Sequence, residues 1–545
     1  MSSVQSLADV VLNGAEEAAN EPAVVFPSSG TSLTYAGLAD LSARYAGLLG
    51  DRHVGRGDRV VTILPNGPEA VGMLFAAAMS GAIVVPINWH HRGAVLEYMV
   101  RRAEPSLVVA DSSVVDAAQM ASVRTAGRCV TLEAAAWSEE ACGAMPRPGR
   151  RPQRGDPVSI MYTSGTTGPS KGAVLPHGLY LQEAESFNEI VRPVPGDRYF
   201  TTLPLFHTNA QCLTLLGALM ARLQAVIVAS FSASGVMGEV RRSGATVMNV
   251  LGAMVPMMLK RSPDRGAQGR LRMVVGGGIP EPMVDELCDR FRVEFRRIYG
   301  LTETGLNAGE VRPAARGSIG VTLAHNRLRI AGGGDPAAQG EIQLKELDPD
   351  VFFKGYWQDD QATADAYTAD GWFKTGDLGR MDDEGCVHFA GRLKESIRRR
   401  GENISCSEVE MVVNELPEIA ECAAVAVSSE LAEDEVKIAY VVREGASVSW
   451  QAVLAHCRDR MAKFMVPRYF EQVERIPRTA TQKIERYRLS GVGGDVRDAA
   501  EPGPGGGAGL PQSERRPEGA VVTGRPREVD AFRTTDTREM RRRHE

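Results

Sequence analysis

The stretch at 162–172 constrains the fold more than any other part of this 545-residue chain. It follows a short apolar run of strand type at 158–162 and precedes a segment of helix-forming composition at 178–191. Glycines let backbone N–H groups approach an anion, hydroxyls add donors, and a lysine adds a mobile positive charge. No Lys-Ser or Lys-Thr pair follows the last glycine, so the loop is not of the Walker type. A phosphate-binding loop and a polar surface turn both fit these residues taken alone. The candidate phosphate-binding residues are Thr163, Ser164, Gly165, Thr166, Thr167, Gly168 and Lys171.

Length and charge exclude several classes of protein. A chain of 545 residues is too long for one hydrophobic core, so two or more domains are expected. The net charge of −6 argues against a nucleic-acid-binding protein, which would need a clustered basic face. Eight cysteines without a CxxC pair are typical of reduced thiols in a cytoplasmic protein, not of a zinc site or a disulfide framework.

The amino terminus lacks a basic segment followed by an apolar one, so no signal peptide is predicted. The most membrane-like stretch, 212–229, is interrupted by Arg222 and Gln224. It is predicted to be a buried helix that runs into a strand, so no membrane span is expected.

Apolar runs alternate with helical patterns through most of the chain, which indicates an α/β fold with largely parallel sheets. Strands are predicted at 60–64, 83–87, 107–110, 225–229, 246–250, 273–275 and 295–299, with helices at 69–80 and 93–103 and a loop at 134–157. Shorter β-type segments follow from about 317, and 391–404 is a charged stretch that is a candidate linker. A small α+β pattern then has helices at 407–416 and 450–461 and strands at 420–427 and 436–442.

The predicted organisation is a large N-terminal domain at 1–390, a hinge at 391–395 and a small, mobile α+β domain at 396–490. After Leu489 the composition changes to Gly, Pro, Glu and Arg with few apolar residues, so 491–545 is predicted to be a disordered tail.

Several separated motifs agree in order and spacing with one family. With the loop at 162–172, the motifs at 299–305 (YGLTETG), 372–377 (WFKTGD), 206–211 (FHTNAQ), 401–406 (GENISC) and 461–467 (MAKFMVP) resemble the adenylate-forming superfamily of acyl-CoA synthetases, luciferases and peptide-synthetase adenylation domains. The likeness covers roughly 10–490 and is greatest to the crotonobetaine/carnitine–CoA ligases. The resemblance implies an N-terminal AMP-binding domain, which includes a β-rich subdomain, and a mobile C-terminal domain.

The resemblance implies a nucleotide site. Tyr299 would pack on adenine, although a core tyrosine is the alternative, and small residues would line the other adenine face. Asp377 would accept both ribose hydroxyls with help from Arg392; outside this context an Asp after a glycine is usually a turn former. The implied adenine and ribose residues are Gly278, Ile279, Pro280, Tyr299, Gly300, Asp377 and Arg392.

The resemblance also implies the catalytic groups. Thr302 would bond the α-phosphate and Glu303 would hold Mg²⁺. Lys483 would approach the α-phosphate and the attacking carboxylate, because a positive charge must offset the repulsion between two anions. Without the resemblance Lys483 would be taken for a solvated loop lysine. Lys394 falls at the hinge about which the small domain would rotate between two half-reactions.

An acyl pocket and a CoA-side loop complete the implied site. His207 is either a gate beside the pocket or a buried structural histidine. The other implied pocket residues are Asn209, Gln211, Asn249, Gly252, Ala253 and Gly277, and the implied CoA-side loop is Arg400, Gly401 and Glu402. Two positions depart from the family pattern: His90 stands where many relatives have an arginine, and Arg400 stands where two glycines are usual, beside the expected pantetheine tunnel.

Three functions follow. The first is an AMP-forming acid–CoA ligase that uses ATP and Mg²⁺ to activate a small carboxylic acid and passes the acyl group to CoA. The second is the same activation with another acceptor, such as an amine, including nitrite-activating diazotisation of an aryl amine. The third is a nucleotide-binding protein without catalysis, against which the joint presence of Lys171, Thr302, Glu303, Asp377, Arg392 and Lys483 argues.

Overall fold

A computed structural model describes residues 4–127, 130–143, 152–163, 169–252, 254–332, 339–392, 397–399, 401–429, 433–477, 484–493 and 495–499. The helices are α1 (Leu7–Glu17), α2 (Tyr35–Asp51), α3 (Pro68–Ser80), α4 (Gly93–Ala103), α5 (Ala117–Gly127), α6 (Ala134–Gly143), α7 (His177–Val191), a π-helix (Asn209–Leu216), α8 (Gly217–Met220), α9 (Val236–Ser243), α10 (Met254–Arg261), α11 (Glu281–Phe291), α12 (Asp360–Asp365), α13 (Cys406–Val413), α14 (Trp450–Arg460) and a 3₁₀ helix (Arg486–Arg488).

The strands fall into five sheets. They are β1 (Pro22–Phe26), β2 (Thr31–Thr34), β3 (Arg59–Ile63), β4 (Ile83–Pro86), β5 (Leu107–Ala110), β6 (Val130–Glu133), β7 (Pro157–Thr163), β8 (Lys171–Pro176), β9 (Arg198–Thr201), β10 (Gln224–Ile227), β11 (Val247–Leu251), β12 (Met273–Gly277), β13 (Glu294–Leu301), β14 (Gly305–Gly309), β15 (Val321–Thr322), β16 (Asn326–Ile330), β17 (Gly340–Glu346), β18 (Phe373–Met381), β19 (Val387–Arg392), β20 (Ile397–Arg399), β21 (Glu402–Ile404), β22 (Ile419–Ser428), β23 (Asp434–Val442), β24 (Tyr469–Gln472) and β25 (Arg497–Asp498).

Two mostly parallel sheets form the large domain, which confirms the predicted fold class. One has six strands in the order β6-β5-β3-β4-β7-β8, and the other has nine in the order β15-β14-β13-β12-β11-β9-β10-β1-β2. Helices α3 and α4 connect parallel strands of the first sheet, as the alternating pattern predicts. The carboxyl ends of β11, β12 and β13 lie side by side at one edge of the second sheet.

The phosphate-loop motif joins two antiparallel strands, and this corrects the predicted order of strand, loop and helix. Residues of β8 pair with β7, with Thr163 opposite Lys171. Gly172 and Pro176 lower the β-propensity of β8, so the sequence does not predict a strand there. Hydrogen bonding to β7 makes the segment extended all the same. The chain enters α7 only after this hairpin.

Three other predictions need correction. Residues 134–143, predicted as loop, form α6, because the alanine-rich segment packs Ala134, Trp137 and Ala141 into the core. Part of the predicted linker is the hairpin β20–β21. Strand β25 pairs with β24 although its residues fall in the predicted disordered tail. The domain boundaries at 390 and 396 stay a prediction, and 500–545 lie outside the described residues.

The small domain packs against the six-stranded sheet of the large domain. One hydrophobic cluster contains Val85 and Met99 of the large domain together with Val409 and Val412 of the small one. Apolar burial of this kind stabilises an interface by roughly 25 cal/mol per Å². It stabilises the arrangement described here, in which the β20–β21 hairpin faces β11. No described helix is both long enough and apolar enough to cross a membrane.

Candidate active site

The predicted adenine and ribose residues lie together. The Tyr299 hydroxyl, near the end of β13, donates to Oδ2 of Asp377 at 2.8 Å. Asp377 lies in β18 and is 3% exposed, and its own N–H donates to the Thr375 hydroxyl at 3.0 Å. The phenol therefore orients the carboxylate and the Thr375 hydroxyl holds the backbone, so that the ionised group is available as an acceptor. Arg392 is the β19 residue paired with Asp377 across the ladder.

Glu303 lies in the turn between β13 and β14, and two hydroxyl groups converge on it. Its Oε1 is 2.8 Å from the Tyr356 hydroxyl and 3.2 Å from Oγ1 of Thr163, at the edge of the phosphate loop. Burial, strengthened by the charge of Glu303, raises the pKa of Tyr356 well above its ordinary value, so this phenol stays a donor. The Lys171 ammonium lies 5.2 Å from the centre of the Tyr356 ring. The strands beside the phosphate loop, the Glu303 carboxylate and the Lys171 ammonium therefore lie around the same tyrosine, Tyr356.

The glycines at 252, 277 and 278 lie near the strand that carries Tyr299. A Cβ at Gly277 would lie 2.5 Å from the Ile298 carbonyl oxygen, and one at Gly252 would lie 2.6 Å from that of Gly278, so neither position accepts a side chain. Gly278 has φ +71 and nothing within 4 Å of a would-be Cβ, which leaves an open face. Pro280 then caps α11, after Ile279 has packed on the core.

His207 contacts the small domain through Glu402. Its Nε2 is 3.1 Å from Oε2 of Glu402 on β21. Burial acts to raise the pKa of Glu402, but the charge and hydrogen bond of His207, followed by His91 and His90, outweigh it and hold this pKa below its ordinary value. His91 is partly exposed but its Nδ1 is buried, and desolvation lowers the pKa of this side chain to about 4. His207 is therefore half-buried at the domain boundary rather than fully buried, and its role as a gate beside the pocket stays a prediction.

Two predicted pocket residues are held within the wall. Gln211 is 3% exposed, accepts from the Tyr180 hydroxyl at 2.7 Å and donates to the Leu205 carbonyl. Asn249 donates through Nδ2 to Oγ1 of Thr214 at 2.9 Å, while its Oδ1 is buried without a partner. Asn209 begins the π-helix and also has a buried Oδ1 without a partner.

Sequence reasoning missed two contacts. Tyr356 was not singled out, because an isolated tyrosine gives no signal until the fold sets it beside Glu303. Glu408 of α13 is buried and accepts from the Ser170 N–H at 3.0 Å, which ties the end of the phosphate-loop motif to the small domain. Burial raises the pKa of Glu408, opposed by the hydrogen bonds from Ser170.

Several predicted site residues fall outside the described residues: Ser164, Gly165, Thr166, Thr167, Gly168, Ala253, Lys394, Arg400 and Lys483. Of Arg392 only the backbone is described. Thr302 and Gly300 lie within the β13–β14 hairpin, beside Tyr299 and Glu303.

The sequence of this chain matches a known family over most of its length. Residues 12–357 match the AMP-binding enzyme family, and residues 408–483 match the AMP-binding enzyme C-terminal domain. The chain belongs to the AMP-binding enzyme family. This confirms the predicted superfamily, and the relatives below confirm an AMP-forming ligase of the acyl-CoA synthetase type.

Two relatives are CoA ligases. The chain is 35% identical to an indoleacetate–CoA ligase of Aromatoleum aromaticum, over 85% of this chain and 93% of the relative. It is 30% identical to a crotonobetaine/carnitine–CoA ligase of Escherichia coli, over 82% and 90%.

Among solved structures, o-succinylbenzoate CoA synthetase from Bacillus subtilis is similar in two forms. A double mutant bound to its product analogue OSB-NCoA gives a TM-score of 0.79, at 25% identity and over 88% of this chain and 98% of that one. The same enzyme in complex with AMP gives a TM-score of 0.65, at 25% identity and over 89% of this chain and 98% of that one.

Replacing Asp377 by asparagine is expected to raise the KM for ATP about tenfold, because a charged acceptor held by Tyr299 is lost. The ATP dependence of pyrophosphate release measures this. The exposed Asp383→Asn variant is the matched control. An unchanged KM in Asp377→Asn would exclude a ribose-binding role.

Glu183 on α7 is a further buried acid that sequence reasoning did not select. It is 6% exposed, and burial raises its pKa to about 7, opposed only by a hydrogen bond with the Cys212 thiol. Its Oε2 has no partner among the described residues.

Glu183→Gln is expected to stabilise the folded protein at pH 8 by about 2 kcal/mol and to change little at pH 5. The native carboxyl keeps its proton up to about pH 7, whereas the unfolded one loses it near 4.5. Wild-type stability is thus full below the unfolded pKa and falls as pH rises through the folded one. Urea denaturation at both pH values measures the difference, with the exposed Glu189→Gln as control. Parallel pH profiles for wild type and Glu183→Gln would contradict the assignment.

Proposed function

We propose that this enzyme is an ATP-dependent, AMP-forming acid–CoA ligase. It would convert a carboxylic acid, ATP and CoA into an acyl-CoA, AMP and pyrophosphate. The observation that carries the proposal is the meeting of Tyr299, Asp377 and Glu303 beside the phosphate-loop strands. Together they offer a ring for adenine, a carboxylate for ribose and an anionic ligand next to the phosphates.

In the first half-reaction a carboxylate oxygen attacks the α-phosphorus, and pyrophosphate leaves. The acid is already ionised near neutral pH, so no general base is needed. Thr302 would donate to the α-phosphate, and Lys171 would neutralise the outer phosphates. Lys483 would stand between the two anions. The residues therefore position the reactants and offset charge, which is the main work of phosphoryl-type transfer.

Glu303 fits a Mg²⁺ ligand. Its buried carboxylate is a hard oxygen donor, oriented through Oε1 by the hydroxyls of Tyr356 and Thr163. No group of three or more His, Cys, Asp or Glu side chains that could hold a metal occurs among the described residues, so phosphate oxygens and water would supply the other ligands. When bound, the ion would offset negative charge on the phosphates.

The second half-reaction transfers the acyl group to the CoA thiol, with AMP as the leaving group. We assign the described domain arrangement to this step. It rests on the contacts of Glu402 with His207 and of Glu408 with Ser170, which join the small domain to the acyl and phosphate sides of the site. The higher TM-score against the complex with a CoA product analogue than against the AMP complex supports the same assignment. Rotation about Lys394 would exchange this face for the one that carries Lys483.

One feature favours a different acceptor. This could be an amine, or the enzyme could activate nitrite and diazotise an aryl amine. Arg400 precedes Gly401 where two glycines are usual, and a long side chain there would narrow a pantetheine passage. The adenylation step would be the same. Reduced cysteines favour a cytoplasmic location in either case.

Pyrophosphate release over a panel of acids, with and without CoA, tests the proposal. Acid-dependent release with formation of an acyl-CoA is expected. Pyrophosphate release that requires an amine or nitrite and does not depend on CoA would show that the acceptor is not CoA. No release with any acid would overturn the function.

A further inference from the structure

A buried carboxyl group without a cationic partner, that of Glu183, lies behind the turn that carries Thr302 and Glu303. Glu183 projects from α7 against Gly305, the residue that begins β14. Its Oε2, the oxygen without a described partner, lies 3.8 Å from the position that a Cβ would take on Gly305. Gly305 has no side chain, so no Cβ from this position covers the oxygen.

The same carboxylate borders the π-helix of the predicted acyl pocket. The Cys212 thiol is within hydrogen-bonding reach of it, next to Gln211, and Tyr180 one turn earlier on α7 holds Gln211 in place. Glu183 thus borders both the start of β14, just after the turn that carries Thr302, and the π-helix of the predicted acyl pocket.

Three asparagine side chains also have a buried oxygen without a hydrogen-bond partner among the described residues. Nδ2 of Asn307 donates to the Thr304 hydroxyl and to the Gly305 carbonyl, both at 2.8 Å. Its Oδ1 is buried without a partner. The pocket residues Asn209 and Asn249 also keep unpaired Oδ1 atoms. These amide oxygens accept hydrogen bonds and cannot donate.

A buried acceptor without a partner costs free energy that a bound donor can restore. No arginine, lysine or histidine of the described residues is among the groups that set the charge state of Glu183. A donor on a bound ligand would therefore complete the hydrogen bonding of this oxygen.

We propose that Glu183 is the specificity-determining residue of the acyl pocket and that it selects acids bearing a nitrogen-bound hydrogen, on a ring N–H or a protonated amine, away from the carboxyl group. This rests on the proposed function for the position of the acid, and it adds the class of acid. Its Oε2 accepts the hydrogen while the acid's carboxylate faces Thr302.

Matched pairs of acids test the proposal on the full-length protein. One arm compares indole-3-acetate with 1-benzothiophene-3-acetate, in which sulfur replaces the N–H. The other compares 4-(aminomethyl)phenylacetate with 4-ethylphenylacetate, so that neutral and charged donors are separated. Binding is measured by calorimetry with a non-hydrolysable ATP analogue present, and turnover by pyrophosphate–ATP exchange.

Wild type should favour the nitrogen-bearing member of at least one pair by about tenfold or more. Glu183→Leu should reduce that preference below about twofold. Glu183→Gln, which keeps a neutral acceptor and a similar shape, should retain part of the ring N–H preference and lose the amine preference. The exposed Glu189→Gln on the same helix should behave as wild type.

Equal binding of both members of both pairs by wild type would overturn the proposal, as would a preference that Glu183→Leu retains or the absence of binding by all four acids. Discrimination in binding without any pyrophosphate exchange would instead leave Glu183 in its role and reject the ligase function.

Discussion

Replacing Lys483 by alanine should slow adenylate formation by about a thousandfold while acyl transfer from a supplied acyl-adenylate stays within about twofold of wild type. The first step brings a carboxylate against an anionic phosphate, and a cation between them is needed chiefly in the transition state. The second step forms a neutral thioester and, in the proposed mechanism, would use the other face of the small domain. Pyrophosphate–ATP exchange measures the first step, and thioester formation from a synthetic adenylate measures the second.

Two variants sharpen this comparison. Arg475→Ala removes an exposed cation from the same small domain and should affect neither half-reaction. Lys483→Arg keeps the charge and should recover part of the exchange rate. Equal loss of both half-reactions in Lys483→Ala would reject the use of two faces.

The converse result is expected at the contact between His207 and Glu402. Glu402→Gln and His207→Ala should each slow acyl transfer to CoA by about a hundredfold and leave pyrophosphate–ATP exchange nearly unchanged. The 3.1 Å contact crosses the domain boundary and Glu402 is only partly exposed. Either substitution therefore leaves one of the two groups without its hydrogen-bond partner in the described arrangement.

A double-mutant cycle distinguishes this from general damage. The double variant should lose little more than either single variant, because both remove the same contact. Glu444→Gln, an exposed acid of the small domain, is the control. Additive losses, or a fall in exchange as large as the fall in transfer, would show that the pair does not act in the second step alone.

Motif positions could be predicted from sequence where a site residue stands in a local signature. Tyr299 and Asp377 belong to strands of different sheets, yet each carries a local signature, and the fold brings them within 2.8 Å. The π-helix and the β10 strand after it were predictable as a buried helix that runs into a strand, since Arg222 and Gln224 interrupt the apolar run.

What could not be predicted depends on partners far away in sequence. The strand β8 gains its order by pairing with β7, and Glu408 becomes a site contact only because α13 docks on the large domain. Glu183 is one of three glutamates in α7, and nothing local separates it from the exposed Glu185 and Glu189. Gln211 has a pocket-like position, but internal hydrogen bonds use its amide.

The central claim is that this site joins an acid to the α-phosphorus of ATP before the acyl group moves on. An acid that supports turnover, labelled with ¹⁸O in its carboxyl group, tests it most directly by mass spectrometry of the products. One labelled oxygen should appear in AMP and none in pyrophosphate, because the carboxylate oxygen that attacks phosphorus leaves with AMP. Label in orthophosphate with ADP as the nucleotide product, or unlabelled AMP alongside acyl-CoA, would contradict an acyl-adenylate intermediate.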